Sequence, residues 1–332
     1  MSKKVLFSMP YPPSVVSDLD QFLEQLQEHG LEPIVSETCG RRMTEDELIQ
    51  AWTDVYAHIC GADPMTERAI SSSETLKIIS RIGIGSDSVD IQAATKKGVA
   101  VCVTPGAGAE AVAEHTFAMI LALSRRIVEQ NNLVKGGNWG KKVVGYSLYG
   151  KTLGIIGLGN IGKRLVLNAA GFDMRILAYD PYYQDESFAK KNNVIYCDLD
   201  TIYRESDYIS VHLPLTDETR GMISANEMSV MKNSAQIINC ARGGIIDEVA
   251  LYHAVKNGSI SGAALDVFAE EPVNMENPLL TLDRIIVSPH NAGTSVEGKN
   301  KVVGMAVQNV IDVYEGRCPR GLLNPEVMSL HH

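Results

Sequence analysis

Gly157-Leu158-Gly159-Asn160-Ile161-Gly162 stands directly after the apolar run Leu153 to Ile156 and opens a helical pattern carrying Leu165, Val166 and Ala169. Three glycines at that spacing, between a strand and a helix, suit a dinucleotide. The first allows a tight turn, the second lets a pyrophosphate approach the backbone, and the third lets helix and strand pack closely. The free N–H groups of the helix start then face the phosphates. Asp180 closes the next apolar run, Met174 to Tyr179, near the offset at which a carboxylate meets the adenosine ribose. A carboxylate there accepts from a free 2′-hydroxyl and repels a 2′-phosphate. Pro181 follows it where an arginine would favour the phosphate, so NAD is expected over NADP.

Three further loops carry groups fit for acid-base work or anion binding. Arg242 follows the run 235–240 in Asn239-Cys240-Ala241-Arg242-Gly243-Gly244, Glu271 follows 262–267, and His290 follows 285–288. Ligands of an open α/β sheet sit beyond the carboxyl ends of its strands. All three loops therefore fall on the edge that holds the dinucleotide. His212, at the end of the run 208–213, is a rival base.

Placing these loops requires a parallel sheet, and the chain reads as α/β almost throughout, with short apolar runs alternating with helical patterns. Val5 to Phe7, Pro33 to Ser36, Ile78 to Ile82 and Val99 to Val103 read as strands of a first domain. Thr44-Glu45-Asp46-Glu47 has capping-box spacing before a helix. A long helix rich in small and aliphatic residues is expected from Gly108 to Arg126, then a loop containing Gly136, Gly137 and Gly140. Six strands are expected after it, near 153–158, 174–179, 208–213, 235–240, 262–267 and 285–288, and a closing helix from Val296 to Glu315.

With 332 residues the chain has room for two domains, and 45% hydrophobic and 21% charged residues are ordinary globular proportions. Thirty Lys and Arg against forty Asp and Glu give a net charge of −10 with no basic patch, which argues against nucleic acid as a partner. No apolar run reaches the length of a membrane span, so no membrane partner is expected. The six cysteines form no Cys-x-x-Cys pair, so neither a metal site nor a disulfide framework is expected, and a cytoplasmic protein fits. His331 and His332 are set aside as sites. His29, His58, His115 and His253 read as structural or surface residues without partners.

Ala241-Arg242-Gly243-Gly244-Ile245-Ile246-Asp247, Asp266-Val267-Phe268 with Glu271-Pro272, and Pro289-His290 resemble the signature blocks of the D-isomer-specific 2-hydroxyacid dehydrogenases. Gly157 to Gly162, His212-Leu213-Pro214-Leu215-Thr216 and Thr219-Arg220-Gly221 match as well. The resemblance runs from about Thr44 to Asn324 and is strongest to the phosphoglycerate-dehydrogenase-like branch. It implies two doubly wound parallel-sheet domains, a Rossmann nucleotide domain (104–293) inserted into a flavodoxin-like substrate domain (1–103 and 294–332). It also implies a homodimer through the nucleotide domain, with the helix near 110–125 at the interface.

Carried to matching positions, the resemblance makes His290 the general acid/base, Glu271 its partner, and Arg242 the group that binds the substrate carboxylate and polarises the carbonyl. Such types suit the reaction, since hydride leaving C2 of a hydroxyacid must be accompanied by loss of the hydroxyl proton, which imidazole accepts near neutral pH. His212 then falls beside the cofactor, with Pro214, Thr219, Ala241, Asp266, Val112 and Gly293. Arg81-Ile82-Gly83-Ile84-Gly85-Ser86-Asp87 resembles the loop whose backbone holds the substrate carboxylate, which gives Arg81, Gly83 and Ile84 to the substrate. Ser88 stands where the family usually has Asn.

The implied function is NAD-dependent oxidoreduction of a small D-2-hydroxyacid or 2-keto acid, phosphoglycerate-dehydrogenase-like but with no length for a regulatory domain after Asn324. Hydroxypyruvate or glyoxylate reduction is the alternative within this chemistry. From another class, the chain resembles the NAD(H)-sensing C-terminal-binding-protein corepressors. After the third strand of the first domain, where phosphoglycerate dehydrogenases place Arg-Ser-Arg-Thr or Arg-Ser-Ala-Thr, this chain has Cys60, Gly61, Ala62 and Asp63. Two cations are missing there and an acid is added, so an unphosphorylated acid is expected as substrate.

Overall fold

The computed structural model describes residues 3–330, so His331 and His332 lie outside the described residues. In chain order the first elements are β1 (Lys3–Ser8), α1 (Leu19–Glu28), β2 (Leu31–Val35), α2 (Glu45–Ala51), β3 (Val55–Cys60), α3 (Glu67–Ser72), β4 (Ile78–Arg81), α4 (Ile91–Lys97) and β5 (Ala100–Cys102). There follow α5 (Ala109–Ser124), α6 (Ile127–Lys135), β6 (Thr152–Ile156), α7 (Asn160–Ala169), β7 (Arg175–Tyr179), α8 (Glu186–Lys191), β8 (Val194–Tyr196), α9 (Leu199–Glu205) and β9 (Tyr208–Val211). The last are α10 (Ala225–Val230), β10 (Gln236–Asn239), α11 (Glu248–Lys256), β11 (Gly262–Leu265), β12 (Ile285–Val287) and α12 (Val296–Tyr314). They form two units, unit 1 from residues 1–108 and 294–332 and unit 2 from 109–293. The first crossing thus falls after Gly108 instead of after Val103.

Unit 1 is a parallel sheet in the order β2-β1-β3-β4-β5, the flavodoxin-like order. Strand residues alternate between its faces. Val5, Phe7, Ile59 and Ile78 pack with Val303, Val307, Val310 and Ile311 of α12, while Leu6, Cys60, Ile79 and Val101 pack with Leu48, Trp52, Ile70 and Ala94. Helix α12 is also bonded to the sheet through Ser80 Oγ to Ala306 O (2.9 Å) and Asn309 Nδ2 to Val103 O (3.1 Å). The capping box at Thr44 forms in both directions with Glu47.

Inside unit 1 lies a buried polar chain. Trp52 Nε1 donates to His58 Nδ1 (3.2 Å), which leaves His58 Nε2 to donate to Ser8 Oγ (2.7 Å), and Ser8 Oγ donates to Asp63 Oδ2 (2.6 Å). Asp63 Oδ1 accepts from Met43 N at 2.8 Å. Burial lowers the His58 pKa to about 3, so the ring is neutral, and burial raises that of Asp63. His58 therefore has partners, contrary to expectation. So do His29, whose Nδ1 lies 2.7 Å from Glu315 Oε1, and His115, whose Nε2 lies 3.1 Å from Ser288 Oγ.

Unit 2 is a parallel sheet in the order β12-β11-β10-β9-β6-β7-β8. It has seven strands where six were expected. The extra one, β8, is a three-residue edge strand paired to β7 alone, too short to show a period in sequence. The expected helix to Arg126 forms but ends two residues early, and a second helix, α6, follows it where a loop was expected. Ser124 Oγ bonds Tyr146 O (2.9 Å) and Tyr208 Oη (2.8 Å), Tyr146 N donates to Ser124 O (2.7 Å), and Arg126 turns left-handed (φ +52°) before α6 begins. Partners 22 and 84 residues away end α5, and local periodicity does not see them. Most of α5 is buried against its own sheet.

Candidate active site

Because every strand of unit 2 is parallel, the loops after β6, β7, β9, β10, β11 and β12 all leave its carboxyl edge. They carry Gly157 to Gly162, Asp180 and Pro181, His212 to Thr219, Ala241 and Arg242, Asp266 to Glu271, and His290 in turn. A cavity lined by Arg126, Tyr146, Gln236 and Arg284 lies where β10 begins, at the other edge, and has no share in this cluster.

The glycine loop fits a dinucleotide phosphate. Gly157 has φ +97°, and a Cβ on it would lie 2.8 Å from His212 O, so the turn out of β6 requires glycine. A Cβ on Gly159 would meet nothing within 4 Å, which leaves the start of α7 open to a ligand. Asp180 is tied to this loop: Oδ2 accepts from Leu158 N (2.9 Å), and Oδ1 accepts from Tyr182 N (3.0 Å) and Tyr183 N (3.1 Å). The carboxylate expected at the ribose thus also fixes the turn that would hold the phosphates. Gly293 lies beside Val112, 3.8 Å from its Cγ2 to a Cβ built on the glycine.

His290 and Glu271 meet at the far end of the same edge, with His290 Nδ1 2.7 Å from Glu271 Oε2. Glu271 Oε1 accepts from Phe268 N (3.1 Å), so the carboxylate is fixed on both sides. An ionised carboxylate only accepts, which assigns the proton to Nδ1 and leaves a lone pair on Nε2. The imidazole is about half exposed. His290 has φ +51°, a costly conformation for a residue with a β-carbon, and Asp266 maintains it. His290 N donates to Asp266 O (2.7 Å), while the Asp266 carboxylate takes Asn291 N (2.7 Å), Ala292 N (2.8 Å) and the Ser288 hydroxyl.

Arg242 follows β10 in a turn braced by Asn239, whose Nδ2 donates to Arg242 O (2.8 Å) and whose Oδ1 accepts from Ala241 N (3.0 Å). Gly243 must be glycine, since a Cβ there would fall 1.7 Å from Phe268 O. That close approach joins the Arg242 turn to the loop carrying Glu271. The brace at Asn239 was missed in the sequence, although a buried amide ending an apolar strand is a signal that could have found it.

The remaining expected residues divide. His212 Nε2 bonds Ser210 Oγ at 2.9 Å, Nδ1 is buried without a hydrogen-bond partner, and burial lowers the pKa to about 4. A ring that keeps so little affinity for a proton is a poor base near neutrality, whereas an orphaned nitrogen suits a cofactor contact. Asp266 and Thr219, expected to touch the cofactor, are also bonded within their own loops. Asp266 is 1% exposed and its carboxylate is occupied as described, while Thr219 Oγ1 donates to Pro214 O (2.7 Å) and accepts from Thr216 N (2.8 Å). Each serves as a brace for its loop. In unit 1, Arg81 is buried with Nε donating to Gly85 O (3.1 Å), so it holds the Gly83–Gly85 turn whose tip, Ile84, is exposed.

Residues 117–292 match the sequence model of the D-isomer specific 2-hydroxyacid dehydrogenase NAD binding domain. Glyoxylate reductase of Korarchaeum cryptofilum is 39% identical over 273 residues, 81% of this chain and 82% of that protein. D-3-phosphoglycerate dehydrogenase of Methanocaldococcus jannaschii is 41% identical over 285 residues, 85% of this chain and 54% of that protein, so the chain spans about half that relative's length. Among solved structures, D-lactate dehydrogenase from Aquifex aeolicus, complexed with NAD and lactic acid, superposes with a TM-score of 0.81 at 31% identity, covering 96% of this chain and 99% of that one.

Proposed function

Because this chain belongs to the D-isomer specific 2-hydroxyacid dehydrogenase family, we propose that it interconverts a short, unphosphorylated D-2-hydroxyacid and its 2-keto acid with His290 as the proton-transfer group. The observation that carries this reading is the His290–Glu271 pair, 2.7 Å apart on the edge that bears the dinucleotide loop. NAD, when bound, accepts or supplies the hydride at C2. Oxidation requires the hydroxyl proton to leave as the hydride does, and Nε2 of His290 takes it. Glu271, already accepting from Nδ1, stabilises the imidazolium so formed. In reduction the same Nε2–H gives its proton to the carbonyl oxygen. Arg242 binds the carboxylate and polarises the C2 oxygen, a task suited to a planar two-pronged donor.

We assign the cofactor to Gly157, Gly159, Asn160, Ile161, Gly162, Asp180 and Pro181 for the adenosine and phosphate end. Val112, His212, Pro214, Ala241 and Gly293 serve the nicotinamide end. In unit 1, the backbone of Gly83 and Ile84, held by Arg81, is assigned to the substrate carboxylate.

The loop after β3 supports an unphosphorylated substrate. Cys60 is fully buried, Gly61 and Ala62 carry no charge, and Asp63 is turned inward to Ser8 and Met43. The added acid is thus sequestered, and the missing guanidinium groups are what disfavour a phosphate. With NADH, kcat/KM for hydroxypyruvate or glyoxylate should at least equal that for 3-phosphohydroxypyruvate. A hundredfold preference for the phosphorylated acid would overturn this reading.

A homodimer through unit 2 is part of the proposal. The segment after α5 leaves Ile127, Val128, Val134, Trp139, Val144, Tyr146 and Tyr149 exposed, an apolar concentration that a partner surface would cover. A cytoplasmic setting fits six cysteines that are all free thiols, and no helix among the described residues is long and apolar enough to cross a membrane.

A further inference from the structure

The segment that carries His290 leaves β12, a three-residue edge strand paired to β11 alone, so ladder bonds constrain it little. Helix α5 grips that segment at two points. Val112 lies against Gly293, and His115, three residues on and hence on the same face of α5, places Nε2 3.1 Å from Ser288 Oγ. The two contacts flank His290, one before it and one after. The Ser288 hydroxyl has a single proton and gives it to Asp266 Oδ1, so the His115 nitrogen is the donor in its own bond to that hydroxyl. The same Nε2 stands 3.9 Å from Asp266 Oδ1 itself.

These bonds converge on Asp266. Its buried carboxylate is out of reach of solvent and depends on donors from the protein, namely the Ser288 hydroxyl, Asn291 N and Ala292 N. Its backbone oxygen accepts from His290 N, at the residue held at φ +51°. A hydroxyl that accepts one hydrogen bond gives a stronger one in turn, so His115 reinforces the Ser288–Asp266 bond from outside the loop. We propose that His115 is a positioning residue for proton transfer, which through Ser288 and Asp266 holds the turn that aims the His290 imidazole. As a statement about turnover this rests on the function proposed above; as a statement about the conformation of the His290 loop it stands alone.

His115→Leu removes the donor, whereas the side-chain amide of His115→Gln offers an N–H at a similar reach. His115→Leu should lower kcat about three- to tenfold, the worth of one hydrogen bond, while NADH affinity stays within about twofold of wild type. His115→Gln should recover most of that loss. The solvent deuterium isotope effect on kcat should rise in His115→Leu, because the step that slows is the one that moves the hydroxyl proton. Wild-type turnover in His115→Leu, equal losses in both variants, a matching loss of NADH affinity, or an isotope effect that does not rise overturns the proposal. So do losses that multiply when His115→Leu is combined with Ser288→Ala, since residues acting through one another are not additive. Should His290→Asn turn over like wild type, the function reading fails, and NMR of the full-length protein labelled at histidine decides the linkage. His290 ring resonances, assigned by their absence from His290→Asn, that move in His115→Leu and return in His115→Gln uphold it. Resonances unmoved in His115→Leu refute it.

Discussion

Two histidines, one in each unit, share a similar set of neighbours. His58 has Ser8 and, through it, Asp63; His290 has Glu271. In unit 1 the ring lies inside a strand, fully buried, and every hydrogen bond runs one way, from Trp52 through His58 and Ser8 to Asp63. The serine gives its proton to the aspartate and accepts one from the histidine, the reverse of what a nucleophile needs. In unit 2 the ring stands in a loop beyond the sheet, about half exposed, with one nitrogen fixed by a carboxylate and the other open. Residue type therefore does not distinguish a working histidine from a structural one. The direction of its hydrogen bonds and the access to its second nitrogen do.

The comparison breaks most sharply at His290. His290→Asn should cut kcat by about 10²-fold to 10⁴-fold, the usual worth of a positioned acid/base, while NADH affinity measured by fluorescence titration stays near wild type. Turnover within a few-fold of wild type would transfer the proton to another group.

His58→Asn should do the opposite. Asparagine cannot reach both Trp52 and Ser8, so it leaves a buried polar group unpaired and costs about 1–3 kcal/mol of stability, read from the urea midpoint. Its kcat should stay within a few-fold of wild type. A large loss of turnover at full stability would make unit 1's histidine catalytic after all.

A third test concerns pH. Burial lowers the pKa of His58 to about 3 and that of His212 to about 4, from 6.5. Below 6.5 the unfolded chain binds protons that the folded chain refuses, so this stability is complete above pH 6.5 and is lost on acidification, down to about 4 for His212 and 3 for His58. Each ring contributes up to about 1.4 kcal/mol per pH unit. Urea midpoints should fall between about pH 7 and pH 5, less steeply in His58→Asn. Midpoints that hold steady over that range would show that these rings are charged in the folded chain.

Legibility in the sequence depends on how far apart the partners lie along it. The dinucleotide loop is contiguous, and its strand, turn and helix each leave a local pattern, so the amino-acid order alone places Gly157 to Gly162. The His290–Glu271 pairing, 19 residues apart, needs family likeness to be seen. Beyond that distance specific contacts are not legible in the sequence. The bonding of Asp266 depends on amides 25 and 26 residues later, and the end of α5 at Ser124 depends on Tyr146 and Tyr208.

The return of α12 to the first sheet also has a consequence for the order of events on the ribosome. The face of that sheet carrying Val5, Phe7, Ile59 and Ile78 is closed by side chains from Val303 to Ile311, so the opening hundred residues emerge with half their core uncovered. At about 5–20 residues per second, translating the roughly 200 residues between takes about 10–40 seconds. Unit 2, continuous from 109 to 293, has all its strands by then and can fold while the earlier part of the chain still waits. Synthesis thus reverses the order of the sequence: the middle matures first, and the beginning is completed by the end.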